Sequence, residues 1–226
     1  MEIGFNAVFI TAVLQIIAID ILLGGDNAIV IALACRRLPP KQRRLGIFWG
    51  VFGAVALRLI LIFFALQLLG IPFLKIIGAL LLFWIGVKLI QPDNEHHNEA
   101  TVAGSTRLLG AIKTIVIADA VMSLDNVIAV SAAAQGHFGL AVFGILISVP
   151  IIVWGSRFVL WLLDRYPVII LFGGALLGWV GGGMLTGDAA LQPYTAEWPT
   201  YSKYLAAAAG ALFVLGIGKW IARRKI

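Results

Sequence analysis

Seven long apolar runs, separated by short polar segments, constrain this chain more than any other feature. A helix that crosses a membrane needs about 20 predominantly apolar residues, so seven would use roughly 140. The chain has 226 residues and is 61% apolar and 12% charged, against roughly 25% charged in a soluble domain. These proportions exclude a soluble globule. We predict transmembrane helices near 7–35, 45–69, 71–90, 108–134, 138–163, 167–186 and 203–222.

Two patterns recur in the same order along the chain. Asp-x5-Asp-Asn occurs twice, with an offset of 99 residues (119 − 20), and the Pro, Gly and Trp pattern of 72–86 recurs at 167–181. The repeated polar residues are Asp20, Asp26 and Asn27 in the first copy and Asp119, Asp125 and Asn126 in the second. A unit of three spans brings its second copy into the membrane from the opposite face. The two copies are therefore predicted to be inverted about an axis in the membrane plane.

The predicted fold is an all-α integral membrane protein with seven transmembrane helices, arranged as two inverted three-helix repeats plus one C-terminal helix. The chain forms a single transmembrane domain, 1–226. Its parts are the first repeat 7–90, a cytoplasmic polar loop 91–107, the second repeat 108–186, an extracytoplasmic loop 187–202, and the seventh helix with its basic tail, 203–226. His96 and His97 resemble a weak metal-collecting patch in the polar loop, but an unstructured loop is the favoured interpretation.

The basic residues predict the orientation. They cluster in the first and third loops and in the C-terminal tail, which lie on one side of a seven-helix chain. The positive-inside rule places that side in the cytoplasm of a multi-pass protein of the cell membrane, with the N-terminus outside and the C-terminus inside. The net charge of +6 is therefore read as an orientation signal, and no nucleic-acid partner is expected. The first apolar run is too long for a signal peptide, so no cleavage is expected.

Four aspartates near the middle of apolar helices are the candidate functional groups. An ionised carboxylate at the bilayer centre costs at least about 2.5–3.5 kcal/mol, so such acids seldom lack a role. Arg58 is the one clearly central base, and one or two bases do not neutralise four acids. A cation or proton site is therefore favoured over acids that only pair with bases to hold helices together. Arg58 would be the charge partner that takes the place of the cation when the site is empty.

The spacing within each motif predicts an interrupted helix. Residues six apart on a continuous helix differ by about 240° and face different neighbours. Gly24 and Gly25 tolerate unwinding, which would let Asp20 and Asp26 converge. The second copy has Ser123 and Leu124 at these places, so its break is less well supported.

The ligand chemistry indicates a hard divalent cation. Carboxylate and amide oxygens suit Mg²⁺, Ca²⁺ and Mn²⁺, whereas zinc and copper sites usually contain His or Cys. The predicted metal ligands are Asp20, Asp26, Asn27, Asp119, Asp125 and Asn126, with Gly24 and Gly25 as motif backbone. The chain has no Gly-x4-Gly-Lys-Ser/Thr nucleotide loop, which favours coupling to protons. We expect a transporter, not an enzyme, with no required cofactor.

On the basis of both motifs, the chain resembles the TerC family of integral membrane proteins, within the lysine-exporter-like superfamily. Gly24-Gly25-Asp26-Asn27 and Ser123-Leu124-Asp125-Asn126, each preceded by an aspartate, are similar to the two signatures of that family. The resemblance covers essentially the whole chain, and the short length is similar to the compact bacterial YjbE-like subgroup. It implies export of manganese, an identity that oxygen ligands alone do not select.

Two other functions are compatible with the sequence. The site could export an amino acid or another small organic cation, which would be recognised through an ammonium group. Alternatively, the protein could be a non-transporting membrane scaffold for protein assembly or metalation. The partners expected for the favoured function are a divalent metal ion, protons and the lipid bilayer. Stripes of small residues could pack within a monomer or between the subunits of a homo-oligomer.

Overall fold

The structure is a computed structural model that describes residues 7–64, 68, 71–91, 102–134, 137–195, 197–199 and 201–224. For residues 7, 8, 23, 102–106 and 125 it describes the backbone alone. All regular elements within these ranges are helices, which confirms the all-helical prediction for the described part of the chain. His96 and His97 lie outside the described residues.

Eight helices follow one another within the described ranges, and seven of them match the predicted segments in order. They are α1 Ala7–Cys35, α2 Pro40–Phe63, α3 Leu74–Ile90, α4 Val102–Ala133, α5 Phe138–Arg165, α6 Val168–Leu185, α7 Gln192–Thr195 and α8 Tyr201–Arg224. The short helix α7 falls in the segment predicted to be a loop, 187–202.

Two helices begin five or six residues earlier than predicted. The sequence places the start of the second helix near 45, but α2 begins at Pro40, which occupies the first turn. Proline is tolerated there because its missing N–H would have no partner inside the helix. Three predicted loop bases, Lys41, Arg43 and Arg44, therefore lie on the first turns of α2. Helix α4 begins at Val102 rather than near 108, so the end of the predicted polar loop 91–107 is helical.

The described helices include four to six candidate membrane spans. Four of them, α2, α5, α6 and α8, are long and apolar enough on their own. Helices α1 and α4 join this group if each is counted as one bent span. Helix α3 has 17 residues, at the short end of the roughly 17–25 that a membrane span needs. The chain is thus a multi-pass membrane protein, and the seven-helix arrangement stays a prediction.

The helices that carry the Asp-x5-Asp-Asn motif are both bent. The axis of α1 turns by 47° between Phe9–Leu22 and Gly24–Cys35, and that of α4 turns by 65° between Arg107–Leu124 and Asn126–Ala133. Both helices nevertheless remain α-helical through the bend. The sharper bend lies in the copy without a glycine pair, so glycine is not required for the bend.

Helices of each three-helix segment pack mainly against helices of the other segment. Helix α1 packs against α5 and α2 packs against α4, while α1 also touches α4 and α3 lies against α6. Helix α8 covers α6 and part of α3. Each bent helix is therefore enclosed by helices of the other segment.

Glycines let helices of the two segments approach each other closely. A Cβ atom on Gly50 of α2 would lie 2.5 Å from Ile115 of α4, and one on Gly144 of α5 would lie 2.5 Å from Ile16 of α1. Ile16 and Ile115 are related by the same 99-residue offset as the aspartates (115 − 16). Small residues at these places let the helix backbones approach each other within the bilayer.

The third helices of the two segments approach each other in the same reciprocal way. A Cβ atom on Gly86 would lie 3.3 Å from the carbonyl oxygen of Gly174, and one on Gly181 would lie 3.1 Å from that of Ala79. In the repeated pattern, Gly86 corresponds to Gly181 and Ala79 corresponds to Gly174. The two contacts are therefore equivalent: in one the glycine lies on α3 and the carbonyl on α6, and in the other the glycine lies on α6 and the carbonyl on α3.

Candidate cation site

Asp20 of α1 and Asp119 of α4 converge on the guanidinium of Arg58, which lies on α2. Arg58 donates from Nη1 to Oδ1 of Asp20 and from Nη2 to Oδ1 of Asp119. The exposed fraction of each of the three residues is 6% or less, so the cluster is closed off within the bundle. A planar guanidinium can bridge two carboxylates because its N–H groups point in fixed, divergent directions.

Three neutral side chains complete the cluster. Ser123 accepts a hydrogen bond from Nε of Arg58 at 3.0 Å and lies 3.3 Å from Oδ2 of Asp119, to which its hydroxyl can donate. Asn27 donates from Nδ2 to Oδ1 of Asp119 at 2.7 Å. Ser148 of α5 donates to Oδ2 of Asp20. Helices α1, α2, α4 and α5 thus all meet at one polar cluster.

The cluster lies between two apolar cores. Along α1, one core includes Ile16 and the other includes Ile31, on either side of Asp20 and Asn27. Removing one partner from a buried ion pair costs about 3–5 kcal/mol, because the remaining charge is left without compensation. Because the surroundings are apolar, loss of Arg58 or of either carboxylate would leave a buried charge without full compensation.

Two oxygen atoms beside the cluster have no hydrogen-bond donor. Oδ1 of Asp26 and Oδ1 of Asn27 are buried, and no described residue donates to either of them. Asp26 is close enough to interact electrostatically with both Arg58 and Asp119. A buried acceptor without a donor is costly unless an ion, a water or a proton satisfies it. These two oxygens are the atoms best suited to receive a cation.

The predicted site residues are brought together only in part. Asp20, Asn27 and Asp119 are in one hydrogen-bonded cluster with Arg58, and Asp26 lies beside them. The side chain of Asp125 lies outside the described part of the structure, although its backbone is at the bend of α4. The other motif residues are Asn126, which is partly buried and has a partner of its own, and the glycines Gly24 and Gly25.

The two glycines of the first motif differ in surroundings. A Cβ atom on Gly24 would lie 3.4 Å from Nδ2 of Asn27 and 3.6 Å from Oδ1 of Asp20, whereas one on Gly25 would meet nothing within 4 Å. Gly24 therefore lies against the polar cluster. The open space at Gly25 shows that its contribution is not close packing.

The cluster carries an excess of acid. Among the described side chains, Asp20, Asp26 and Asp119 face one guanidinium, a formal net charge of −2 when all are ionised. No three His, Cys, Asp or Glu side chains within the described residues are grouped closely enough to share a metal ion. In this conformation, then, Arg58 takes the position between the carboxylates that a cation would need, and metal ligation stays a prediction.

Sequence reasoning missed three polar residues. In the sequence, Ser148 is only a hydroxyl in an apolar helix, and Ser123 stands out only as the counterpart of Gly24. Asp188 is fully buried after α6, and its carboxylate accepts hydrogen bonds from the backbone N–H groups of Phe73, Lys75, Ile76 and Ala190.

Asp188 has a structural role at the start of α3. Burial opposes its ionisation, but the backbone donors outweigh that effect and hold the pKa of Asp188 below its usual value. The carboxylate also bonds the N–H of Phe73, which adopts the left-handed backbone conformation at φ 65°. Three of its partners precede it by 112 to 115 residues, so no local pattern could have revealed the contact.

Comparison with known proteins places this chain in a family. Residues 5–226 match the "Integral membrane protein TerC family". The "Uncharacterized membrane protein YjbE" of Bacillus subtilis (strain 168) is 44% identical over 199 residues, which cover 87% of this chain and 89% of the relative. The "UPF0053 inner membrane protein YgdQ" of Escherichia coli (strain K12) is 26% identical over 178 residues, which cover 72% of this chain and 75% of the relative. No solved structure matches the chain. The chain belongs to the TerC family of integral membrane proteins.

Proposed function

We propose that this protein is a secondary transporter that exports a divalent metal cation, Mn²⁺, across the cell membrane in exchange for protons. The observation that carries the proposal is the convergence of Asp20 and Asp119, at equivalent places in two copies of one motif, on a single buried guanidinium. Two acceptor oxygens without donors lie beside that pair.

A cation is the ligand that this chemistry favours. Carboxylate and amide oxygens are the donors that hard divalent ions prefer. The formal net charge of −2 on the described cluster needs two more positive charges to be neutral, which one divalent cation would supply. Oδ1 of Asp26 and Oδ1 of Asn27 would supply two ligands without breaking a hydrogen bond.

Arg58 and the metal ion would occupy the carboxylates alternately. When the ion enters, Asp20 and Asp119 release the guanidinium and bind the metal. When protons reach the carboxylates, their affinity for the metal falls and the ion leaves. Proton entry from outside can thus drive metal export, and Arg58 returns to its place between Asp20 and Asp119 once the ion has left.

The reciprocal contacts support an inverted-repeat arrangement. The exchange of partners at Gly50 and Gly144, and again at Gly86 and Gly181, is the pattern expected of two units related by a two-fold axis in the membrane plane. Such an axis would place Asp20 and Asp119 together near the midplane, where transporters of this type bind their substrates.

The identity of the ion rests on the family resemblance. Mg²⁺, Ca²⁺ and Mn²⁺ all suit oxygen ligands, and the resemblance favours Mn²⁺ among them. The basic residues at the start of α2 and at the end of α8 favour a cytoplasmic location for those ends, which puts the C-terminus inside the cell.

The test is Mn²⁺ flux in proteoliposomes, with Mg²⁺, Ca²⁺ and lysine as other substrates and a pH indicator in the lumen. We expect saturable Mn²⁺ movement with opposing proton movement in the native protein. Asp26→Asn should lose that flux, because it removes a ligand charge beside the cluster while keeping the size of the side chain. Glu197→Gln is the matched control, since it removes an exposed carboxylate far from the motif in sequence.

Three results would contradict the proposal. Lysine flux without Mn²⁺ flux would identify an exporter of small organic cations. No flux of any substrate from folded protein would favour a membrane scaffold. Mn²⁺ flux that neither moves protons nor responds to an imposed pH gradient would exclude proton exchange.

A further inference from the structure

A second feature, on the outer surface of the bundle, is an open groove between α2 and α5. At the ends of these helices near Pro40 and Asp164, the groove widens into a cavity of about 530 Å³. It continues along the helices as a narrower apolar cavity of about 170 Å³. Arg44, Ile47 and Arg157 line both cavities, so they form one continuous surface.

The wide part of the groove carries an excess of positive charge. Arg43, Arg44 and Arg157 line it together with one carboxylate, Asp164. Arg43 is fixed by Asp164 at 3.2 Å and by the carbonyl oxygen of Arg36 at 2.8 Å. Arg44 and Arg157 are exposed, and neither forms an ion pair with a residue that the structure describes. Three guanidiniums against one carboxylate leave a net charge of about +2.

One donor in this part of the groove lacks an acceptor. Nε of Arg43 is buried, and none of the described residues accepts a hydrogen bond from it. A buried N–H without an acceptor is costly, so an anionic oxygen at this position would be stabilised. The donor and the two exposed guanidiniums therefore indicate an anionic oxygen ligand, such as a phosphate group.

The narrow part of the groove is apolar. Its walls are formed by side chains of both helices, among them Val51 and Val55 of α2 and Val149 and Val153 of α5. Phe52 of α2 also lines it and is 60% exposed. Apolar walls of this kind accept an acyl chain but do not distinguish one lipid from another, so any selectivity must come from the basic end.

We propose that the groove between α2 and α5 binds an anionic glycerophospholipid. Its phosphate lies among Arg43, Arg44 and Arg157, and one acyl chain lies along the valines of the narrow part. Guanidinium groups match phosphate oxygens with paired hydrogen bonds, and basic pockets between membrane helices bind anionic head groups. The lipid would also join α2, which carries Arg58, to α5, which carries Ser148.

The test is native mass spectrometry of protein taken from vesicles of phosphatidylcholine that contain phosphatidylglycerol. We expect one retained phosphatidylglycerol per chain in preference to phosphatidylcholine. Arg44→Gln with Arg157→Gln should lower that preference by about 25-fold, at roughly fivefold for each basic residue near the lipid surface. Val149→Trp should fill the narrow part and lower phosphatidylglycerol retention without a change of charge.

The matched control is Lys219→Gln with Arg223→Gln, which removes two exposed bases near the end of α8. It should retain the native preference. Equal retention of both lipids by the native protein, or an unchanged preference in the Arg44 and Arg157 double variant, would overturn the proposal. So would binding of inorganic phosphate alone as tightly as phosphatidylglycerol, since the apolar groove would then contribute nothing.

Discussion

Replacing Arg58 by glutamine tests the electrostatic balance of the buried cluster. The substitution removes the one described base that neutralises Asp20 and Asp119, both of which are almost fully buried. Breaking a buried ion pair by removing one partner costs about 3–5 kcal/mol. For a chain of this length, each kcal/mol lowers the melting temperature by about 2–4 °C, so the variant should melt roughly 6–20 °C below the native protein.

A divalent cation should reverse part of this loss. In Arg58→Gln the carboxylates are free to bind the ion, whereas in the native protein the ion must first displace the guanidinium. Mn²⁺ should therefore raise the melting temperature of the variant more than that of the native protein, since a ligand that binds only the folded state stabilises it. The melting temperature of Arg58→Lys should lie between those of Arg58→Gln and the native protein, because a lysine keeps the charge but lacks the paired donors.

The assay is intrinsic fluorescence during heating of detergent-solubilised protein, with Mn²⁺ titrated into each variant. Lys113→Gln is the control, since Lys113 is exposed on α4 and its loss should change stability by no more than about 0.5 kcal/mol. An Arg58→Gln protein that melts with the native protein, or that gains nothing from Mn²⁺, would refute the reasoning.

Three further predictions concern other parts of the molecule. Asp188→Ala should destabilise the protein by about 2 kcal/mol. Because the pKa of Asp188 is lowered on folding, its contribution to stability is complete above the unfolded value of about 3.9 and is lost as the pH falls through the folded value. The difference in melting temperature between the native protein and Asp188→Ala should therefore shrink in acid. Gly182→Ala should lower the melting temperature because its Cβ would collide with the backbone of α8 at Ala206, at a cost of about 1–3 kcal/mol, whereas Gly216→Ala, with nothing within 4 Å, should be neutral or stabilising. Asn27→Ala should weaken Mn²⁺ binding measured by calorimetry while the protein stays folded; unchanged affinity would exclude Asn27 as a ligand.

Hydropathy could predict the helices because each run of apolar residues is long and is bounded by polar ones. The first residues of the helices were harder to predict from the sequence. Pro40 reads as a helix breaker in a basic segment, yet it occupies a first turn, where its lack of an N–H has no cost. The position of Val102 could not be predicted because the residues before α4 are polar and give no periodic signal.

The motif could identify Asp20 and Asp119 because a charge in an apolar helix stands out. The sequence could also indicate Arg58 as their partner, since it is the central base on the second helix. It could not identify Ser148, because a lone serine in an apolar helix is common and its partner lies 128 positions away. The interruption predicted at Gly24 and Gly25 is present only as a bend in a continuous helix, and α4 bends further without glycine.

The most direct test of the account is a double-variant comparison of Mn²⁺ flux in proteoliposomes with Asp20→Asn, Asp119→Asn and the two combined. If both carboxylates serve one site, each single variant should lose flux, and the combined variant should be no lower than the worse of the two. Native flux in either single variant, or losses that multiply in the combined variant, would contradict a shared cation site.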